Sequence, residues 1–250
     1  MRKFASLIAL AALTSGHVAA AQQMDRDNPT CPAAPNWSTF PQMRFTPQTL
    51  NGRRVLLAEG QIDDGLIPRL EAALRDESIE EIWLRSPGGN ARVGNQAGVL
   101  IRQSGLPTRI PQGWTCFSAC NFLFMGGIAR FVDNGGVFMV HMFTHTGNRA
   151  ALDTALERNA AGTVGQIEQQ SAQLASEDND FLIRMGITRT FLTEVMYRVN
   201  AVAAGGNRET RRCLTQAELT RYYVVTVPWQ AEAPQQVAPV NDSRRSRRGN

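Results

Sequence analysis

Residues 81–110 read EIWLRSPGGNARVGNQAGVLIRQSGLPTRI, and their pattern indicates the architecture of the chain. Glu81 to Leu84 is a short, mostly apolar strand that runs into Ser86-Pro-Gly-Gly89, a sharp turn. Val93 to Ser104 has the apolar spacing of a helix, and Thr108 to Ile110 is a second short strand. A strand, a helix and a strand in so short a stretch are typical of a βαβ unit, in which the two strands are parallel.

The segments on either side repeat this alternation. Before it, Val55 to Glu59 is predicted as a strand and Ile62 to Arg75 as a helix, because apolar residues recur there at helical spacing. After it, Arg130 to Val132 and Val137 to Val140 are predicted strands, and Ala150 to Met185 is mostly helical. The alternation predicts an α/β fold with a mainly parallel sheet and crossover helices.

The C-terminal part contains two further predicted helices and a tail of different composition. Phe191 to Val199 is predicted as a helix, and Thr215 with Glu218 three residues later forms a capping-box pattern at the start of another. Tyr222 to Val227 is predicted as a closing strand. Gln, Pro, Ala and Arg dominate residues 228–250, which predicts a disordered, Arg-rich tail.

The N-terminus has the organisation of a bacterial secretory signal peptide. A positively charged start precedes the apolar run Phe4 to Leu13, and small residues follow up to Ala21. We expect cleavage of residues 1–21 and a periplasmic or secreted protein, with an uncleaved N-terminal anchor as the alternative. Five prolines mark residues 22–50 as an extended lead-in, which leaves residues 51–227 for the α/β domain.

Two residue types are scarce enough to exclude whole classes of function. Lys3 is the only lysine, and the histidines are His17, His141 and His145. After loss of the signal peptide no lysine would remain, which excludes a Ser–Lys dyad and a P-loop. Hydrophobic residues make up 43% of the chain and charged residues 19%, so the chain can form a core.

The formal net charge of +4 does not point to nucleic acid. Six of the positive charges lie in the predicted signal peptide and tail, so the folded body is near neutral and has no basic stripe. Neither a nucleic-acid partner nor an ATPase partner is expected, because exported proteins lack access to ATP.

Ser118 is the candidate nucleophile. It lies in Cys116-Phe-Ser-Ala-Cys120, before an apolar helical run, where the free N–H groups of a helix start could stabilise an oxyanion. The alternative is that Ser118 simply caps the helix. The turn Ser86-Pro-Gly-Gly89 could present further N–H groups into a cleft, since glycine lets the backbone approach a ligand closely.

A serine nucleophile needs a base, and two histidines are candidates for it. His141 ends an apolar strand, whereas His145 follows in a polar loop, so His141 is the stronger candidate. A competing interpretation takes Cys116, Cys120, His141 and His145 as the ligands of a structural zinc. The predicted export argues against it, because cysteine pairs of exported proteins usually form disulfides.

Seven motifs, in this order and spacing, resemble the Clp-type serine peptidases of the Clp/crotonase superfamily, and more closely their exported bacterial relatives. The resemblance spans about residues 55–227. Its motifs are Gly60–Ile62, Ser86–Gly89, Cys116–Cys120, Gly126–Arg130, Phe138–His141, Leu214–Glu218 and Tyr222–Val225.

The resemblance implies a fold and a set of roles. The fold would be a Clp/crotonase-like stack of βαβ units with a groove where a peptide or protein substrate adds as a strand. Ser118 would match the nucleophile and His141 the general base. Gly88 or Gly89, together with the N–H of Ala119, would match the oxyanion hole. The resemblance implies no cofactor. It does imply self-association, because Clp-type enzymes assemble as rings.

The resemblance also implies an acidic third member, and here the chain departs from the family. Arg211 stands in the position of the acid, three residues before Leu214. Glu209 is the nearest replacement, and Asp178 and Asp180 are others. An acid would hold the histidine tautomer and stabilise its cation, whereas Arg211 would oppose that cation.

The four cysteines, Cys31, Cys116, Cys120 and Cys213, predict disulfides in an oxidising compartment. Three complete pairings exist. Because Cys213 follows the altered acid position, the resemblance favours a bond from Cys116 or Cys120 to Cys213 or Cys31.

The main functional hypothesis is an exported Clp-like serine peptidase that works through a Ser–His acyl-enzyme mechanism. The first alternative is a catalytically degenerate Clp-fold protein that binds peptides or a partner, and Arg211 favours it. A zinc-stabilised or crotonase-like domain is the remaining alternative, although an acyl-coenzyme A ligand is not expected outside the cytoplasm.

Overall fold

Strands and helices alternate along most of the chain in the computed structural model, which describes residues 23–26, 29–50, 52–141, 149–196 and 211–228. The strands are β1 (Arg44–Leu50), β2 (Arg53–Glu59), β3 (Glu81–Arg85), β4 (Thr108–Ile110), β5 (Thr115–Phe117), β6 (Arg130–Val132), β7 (Val137–Val140) and β8 (Arg212–Cys213). The helices are α1 (Leu66–Leu74), α2 (Ala91–Ser104), α3 (Cys120–Gly126), α4 (Arg149–Arg184) and α5 (Gln216–Arg221), with a π-helical turn at Leu192–Met196.

The strands form two sheets, and most of their pairs are parallel. The main sheet has the order β1-β2-β3-β4-β6, in which β1 and β2 are antiparallel and all other neighbours are parallel. The second sheet has the order β5-β7-β8, with β5 and β7 parallel and β8 antiparallel to β7. Helices α1 and α2 connect parallel neighbours. The predicted α/β class, with a mainly parallel sheet and crossover helices, is therefore confirmed.

The Pro-rich segment predicted as a lead-in contributes to the main sheet. Its last part, β1, pairs along its whole length with β2 and forms the sheet edge. Pro47 lies within β1, and an edge strand tolerates proline because one side of it needs no ladder hydrogen bond. The predicted signal peptide, and the tail beyond Pro228, lie outside the described residues.

Two predicted helices begin elsewhere because their first residues make other contacts. Helix α1 begins at Leu66, since Ile62 hydrogen-bonds the turn after β3 through Gly88 and Asn90. Helix α2 begins earlier than predicted, because Asn90 caps it by accepting hydrogen bonds from the N–H groups of its first turn. No described helix combines the length and apolar composition needed to cross a bilayer.

The predicted closing strand at Tyr222 to Val227 is wrong. The segment forms a turn after α5, and Tyr223 has a φ of 59°. Its carbonyls bind the buried Arg130, whose guanidinium donates to the carbonyl oxygens of Tyr223 at 2.8 Å and Val224 at 2.7 Å. Tyr222, Val224 and Val225 are buried, and an arginine satisfies the backbone in place of a neighbouring strand.

Close packing of α2 against α3 positions the start of α3. A methyl group added at Gly126 would lie 2.2 Å from the carbonyl oxygen of Gly98, so the two helices touch backbone to backbone. Residues nearer the start of α3 pack in the same way, because a methyl group on Gly94 would lie 2.8 Å from the carbonyl oxygen of Ala119. The turn between β5 and α3 is thereby held against rigid elements.

Candidate active site

Ser118 and His141 follow the carboxyl ends of two neighbouring parallel strands. Ser118 comes directly after β5, and His141 comes directly after β7. The register pairs Phe117 with Met139, and the N–H of Ser118 continues the ladder by donating to the Met139 carbonyl at 3.3 Å. Because parallel strands end at the same edge of a sheet, two residues 23 positions apart meet there.

The two side chains form a hydrogen bond. The Oγ atom of Ser118 and the Nε2 atom of His141 are 2.6 Å apart. Both side chains are partly buried, and both line one cavity of about 670 Å³. A hydroxyl within this distance of an imidazole nitrogen can pass its proton to the ring as the oxygen attacks an electrophile.

The backbone of Ser118 is in the left-handed region. Its φ is 57°, a conformation that L-residues other than glycine rarely adopt. The surroundings hold it, since Asn121 on the first turn of α3 donates from its amide to the Met139 carbonyl at 2.8 Å. Strain of this kind persists where the surrounding structure enforces it, and it is concentrated at functional sites.

The glycine turn after β3 lies against Ser118. A methyl group added at Gly88 would lie 2.7 Å from Cβ of Ser118 and 2.6 Å from the carbonyl oxygen of Phe117. The N–H of Gly88 donates to Oγ of Ser86 at 3.0 Å, so it is already used. Among the described residues, the N–H groups of Gly89 and Ala119 have no acceptor. Both amides are therefore available to bind an oxyanion.

The disulfides differ from the favoured pairing. Cys116 bonds to Cys120, and Cys31 bonds to Cys213. The prediction of a bond between these two pairs was wrong, because Cys116 and Cys120 lie on either side of one tight turn with their Cα atoms 5.4 Å apart. The Cys116–Cys120 bond thus encloses Ser118.

The same bond removes the basis of the zinc hypothesis. Zinc would need the thiolates of Cys116 and Cys120, and both sulfurs are in the disulfide. Within the described residues no group of three or more His, Cys, Asp or Glu side chains could hold a metal ion. His145, the fourth ligand of that hypothesis, lies outside the described residues.

Arg211 lies beside the histidine, as its position in the sequence implied. Strand β8 pairs Arg212 with Val140, so continuing the register puts Arg211 opposite His141. The guanidinium of Arg211 lies 5.0 Å from the ring centre of Phe117. The Phe117 and His141 rings are themselves 4.8 Å apart. Glu209, the expected replacement for the acid, lies outside the described residues.

Of the two other acids considered, Asp178 lines the cavity and Asp180 does not. Asp178 is on α4, where its side chain is within the same cavity wall as Leu174 and Leu182. It makes no hydrogen bond to His141, and Asp180 is exposed. Neither residue therefore has the contact with imidazole that a triad acid requires.

The electrostatics of Asp178 are unusual. Burial raises the pKa of its carboxyl group to about 7, and repulsion from Glu177 adds to the rise. Glu177 itself pairs with Arg92 on α2 at 3.4 Å. Helix α3 brings no charged side chain to this place, and His141 is the other titratable side chain in the lining of the cavity.

We expect the replacement of Asp178 by asparagine to stabilise the protein at pH 8. The folded pKa lies above the unfolded value, so wild type binds more protons when folded and loses stability as the pH rises from about 4 to about 7. The variant should therefore gain about 1–3 kcal/mol in unfolding free energy over wild type at pH 8, and little at pH 4. Urea unfolding at both pH values measures this. Asp180→Asn is the control, and an equal difference at the two pH values would contradict the assignment.

The sequence predicted Asp178 only as a possible partner of His141, and it did not predict that the side chain lines the cavity. A signal was present, since Leu174, Asp178 and Leu182 are four residues apart and share one helix face. Burial of a carboxyl group in the middle of an apolar stripe lowers the stability of the fold, which points to a functional role for the group. Asn121, which lines the same cavity, was also missed because it lies inside an apolar run.

The comparisons with known proteins found likeness in structure alone. No protein-family model matches the chain, and no curated protein matches it. A ClpP1 mutant from Listeria monocytogenes is similar with a TM-score of 0.45 and 15% identity, over 68% of this chain and 88% of that chain.

Two further solved structures are similar at lower scores. A mutant of the membrane-bound stomatin-specific protease 1510-N has a TM-score of 0.43 and 15% identity, over 69% of this chain and 76% of that chain. A methylmalonyl CoA decarboxylase has a TM-score of 0.32 and 15% identity, over 42% of this chain and 49% of that chain. At these TM-scores the function of the chain has to be inferred from its own residues.

Proposed function

We propose that this protein is an exported serine peptidase that hydrolyses peptide bonds through an acyl-enzyme on Ser118. The hydrogen bond of 2.6 Å between Ser118 Oγ and His141 Nε2, on the wall of a cavity, carries the proposal. The peptide class of substrate comes from the resemblance of the motifs to Clp-type peptidases.

The reaction would proceed in two halves. As Oγ of Ser118 attacks the peptide carbonyl carbon, Nε2 of His141 takes the hydroxyl proton, and the N–H groups of Gly89 and Ala119 bind the oxyanion. His141 then gives the proton to the leaving amine, and the C–N bond breaks. A water molecule, deprotonated by His141, hydrolyses the ester on Ser118 by the same route.

Export is supported by the cysteines. All four cysteines form disulfides. One disulfide encloses Ser118, and the second joins the N-terminal segment to β8. Disulfides persist in oxidising compartments and are rare in the cytoplasm, so a periplasmic or secreted location agrees with them. The predicted signal peptide points to the same compartment.

A second candidate function is peptide binding without turnover. Arg211 favours it, because a positive charge opposite His141 opposes the imidazolium that forms during catalysis. The two candidates share the cavity and differ in whether Ser118 is activated.

Labelling with a fluorophosphonate distinguishes the two candidates. We expect the purified, oxidised protein to form one covalent adduct, which intact-mass and peptide analysis assign to Ser118, because the probe reports an activated serine. Ser118→Ala should lose at least about 99% of the labelling. The matched control is Ser176→Ala, an exposed serine on α4, which should label like wild type. Absence of labelling in folded wild type would reject the peptidase and leave the binding protein.

A further inference from the structure

We propose that Asp178 selects peptides that insert a basic side chain, of the arginine or lysine type, into the cavity beside Ser118. The inference rests on the proposed function, since the side chain belongs to the peptide that Ser118 attacks. Asp178 and Ser118 lie on the walls of the same cavity.

Polar groups of both kinds line the cavity, and Asp178 is the acceptor among them that can carry a negative charge. Among the described residues that line it, Asp178 is the one carboxylic acid and His141 the one side chain that can become a cation. Asn121 also lines the cavity, and its Oδ1 atom is buried without a hydrogen-bond donor, while its amide nitrogen is bound to Met139. A ligand cation with N–H donors would match the Asp178 carboxylate in charge and in hydrogen bonding.

The Asp178 carboxyl has no hydrogen bond or ion pair with any described residue. Burial keeps its pKa near 7, so at neutral pH the group sits between the acid and the carboxylate. A cation placed next to it would favour the carboxylate and lower that pKa. The group is therefore most stable when a positively charged ligand occupies the cavity.

The other walls suit the stem of a long basic side chain. Leu174 and Leu182 lie one helical turn before and after Asp178, and Phe191 and Leu192 close another side of the cavity. Arginine and lysine bury their methylene stems against apolar surface and place the charge at the tip. A purely apolar side chain would bury the same walls but leave the carboxylate without a partner, which is unfavourable.

Asp178 is held in place from both sides along α4. Glu177 pairs with Arg92 of α2 at 3.4 Å. Three residues after Asp178, Phe181 packs edge-on against Phe122 of α3, with ring centres 5.1 Å apart. These contacts hold the helix at Asp178, so the helix does not have to be reorganised when a ligand binds.

Binding of three tripeptide amides to the Ser118→Ala protein tests the inference. The peptides are acetyl-Ala-Ala-Arg, its citrulline analogue and its norleucine analogue. Citrulline has the shape of arginine without the charge. By calorimetry at pH 8, we expect the arginine peptide to bind at least about tenfold more tightly than the other two. Adding Asp178→Asn should reduce this preference to within about twofold, whereas adding Asp180→Asn should leave it intact.

Three outcomes would overturn the inference. They are equal or weaker binding of the arginine peptide, an unchanged preference in the Asp178→Asn protein, and no binding of any of the three. Circular dichroism and cooperative unfolding establish that the Asp178→Asn protein is folded. Because Ser118→Ala removes the nucleophile, the binding result is independent of turnover. Fluorophosphonate labelling without an arginine preference would reject this inference alone, and an arginine preference without labelling would reject the peptidase alone.

Discussion

Replacement of His141 by alanine is expected to slow the reaction of Ser118 with a fluorophosphonate at least about a hundredfold. The expectation follows from the 2.6 Å hydrogen bond between the two side chains, since among the described residues His141 is the base within reach of the hydroxyl. Without the imidazole, the hydroxyl would have to react with its proton still attached. The second-order rate constant of labelling, followed by intact mass, measures the effect.

A second variant separates proton transfer from simple hydrogen bonding. Glutamine at position 141 could still contact Ser118, but its amide cannot take up a proton at neutral pH. His141→Gln should therefore label as slowly as His141→Ala. Labelling of both variants at the wild-type rate would mean that His141 is a structural partner of Ser118 and that Ser118 has no base in the proposed sense.

Replacement of Gly88 by alanine is expected to reduce labelling of Ser118 about a hundredfold or more and to destabilise the fold by about 2–4 kcal/mol. The added methyl group would lie 2.6 Å from the Phe117 carbonyl oxygen, 2.7 Å from Cβ of Ser118 and 3.0 Å from the Ala119 nitrogen. Two of these atoms are backbone, so relief requires a shift of the turn that holds Ser118. The shift would move both the nucleophile and one oxyanion amide.

Gly105 provides the matched control for this variant. Its φ of 71° is close to the 86° of Gly88, but a methyl group added there has no atom within 4 Å. Gly105→Ala should therefore lower the free energy of unfolding by about 1 kcal/mol, the cost of an alanine in the left-handed region. The labelling of Ser118 should be unchanged. Labelling rates and urea unfolding of both variants measure the two effects. Full labelling of the Gly88→Ala protein would show that the turn does not position Ser118.

The elements that sequence patterns predicted are those with a local pattern of apolar residues or a local cap. Strands β4, β6 and β7 have the predicted bounds. The capping box at Thr215 and Glu218 is present, with the side chain of each accepting a hydrogen bond from the backbone N–H of the other. Periodicity and caps involve residues two to four positions apart, so the sequence contains the information directly.

The errors occur where a distant part of the chain replaces the expected local partner. Arg130 binds the carbonyls of Tyr223 and Val224, 93 and 94 residues away, so an apolar segment that resembles a strand is a turn. Strands β5 and β8 were not predicted, because these segments of three and two residues form strands through their pairing with β7. The disulfide pairing likewise depended on which cysteines the fold brings together.

For the site, composition and motifs were enough to single out Ser118 and His141, because a chain with one lysine and three histidines offers few bases. Only the tertiary structure determines that the two side chains lie within hydrogen-bond distance of each other. Parallel pairing of β5 with β7 aligns two strand ends that are 23 residues apart, and no pattern within either strand contains that register. Packing of α4 over the same edge then brings Asp178 to the cavity, since burial of Phe181 and Leu182 in the core fixes which face of the helix turns inward.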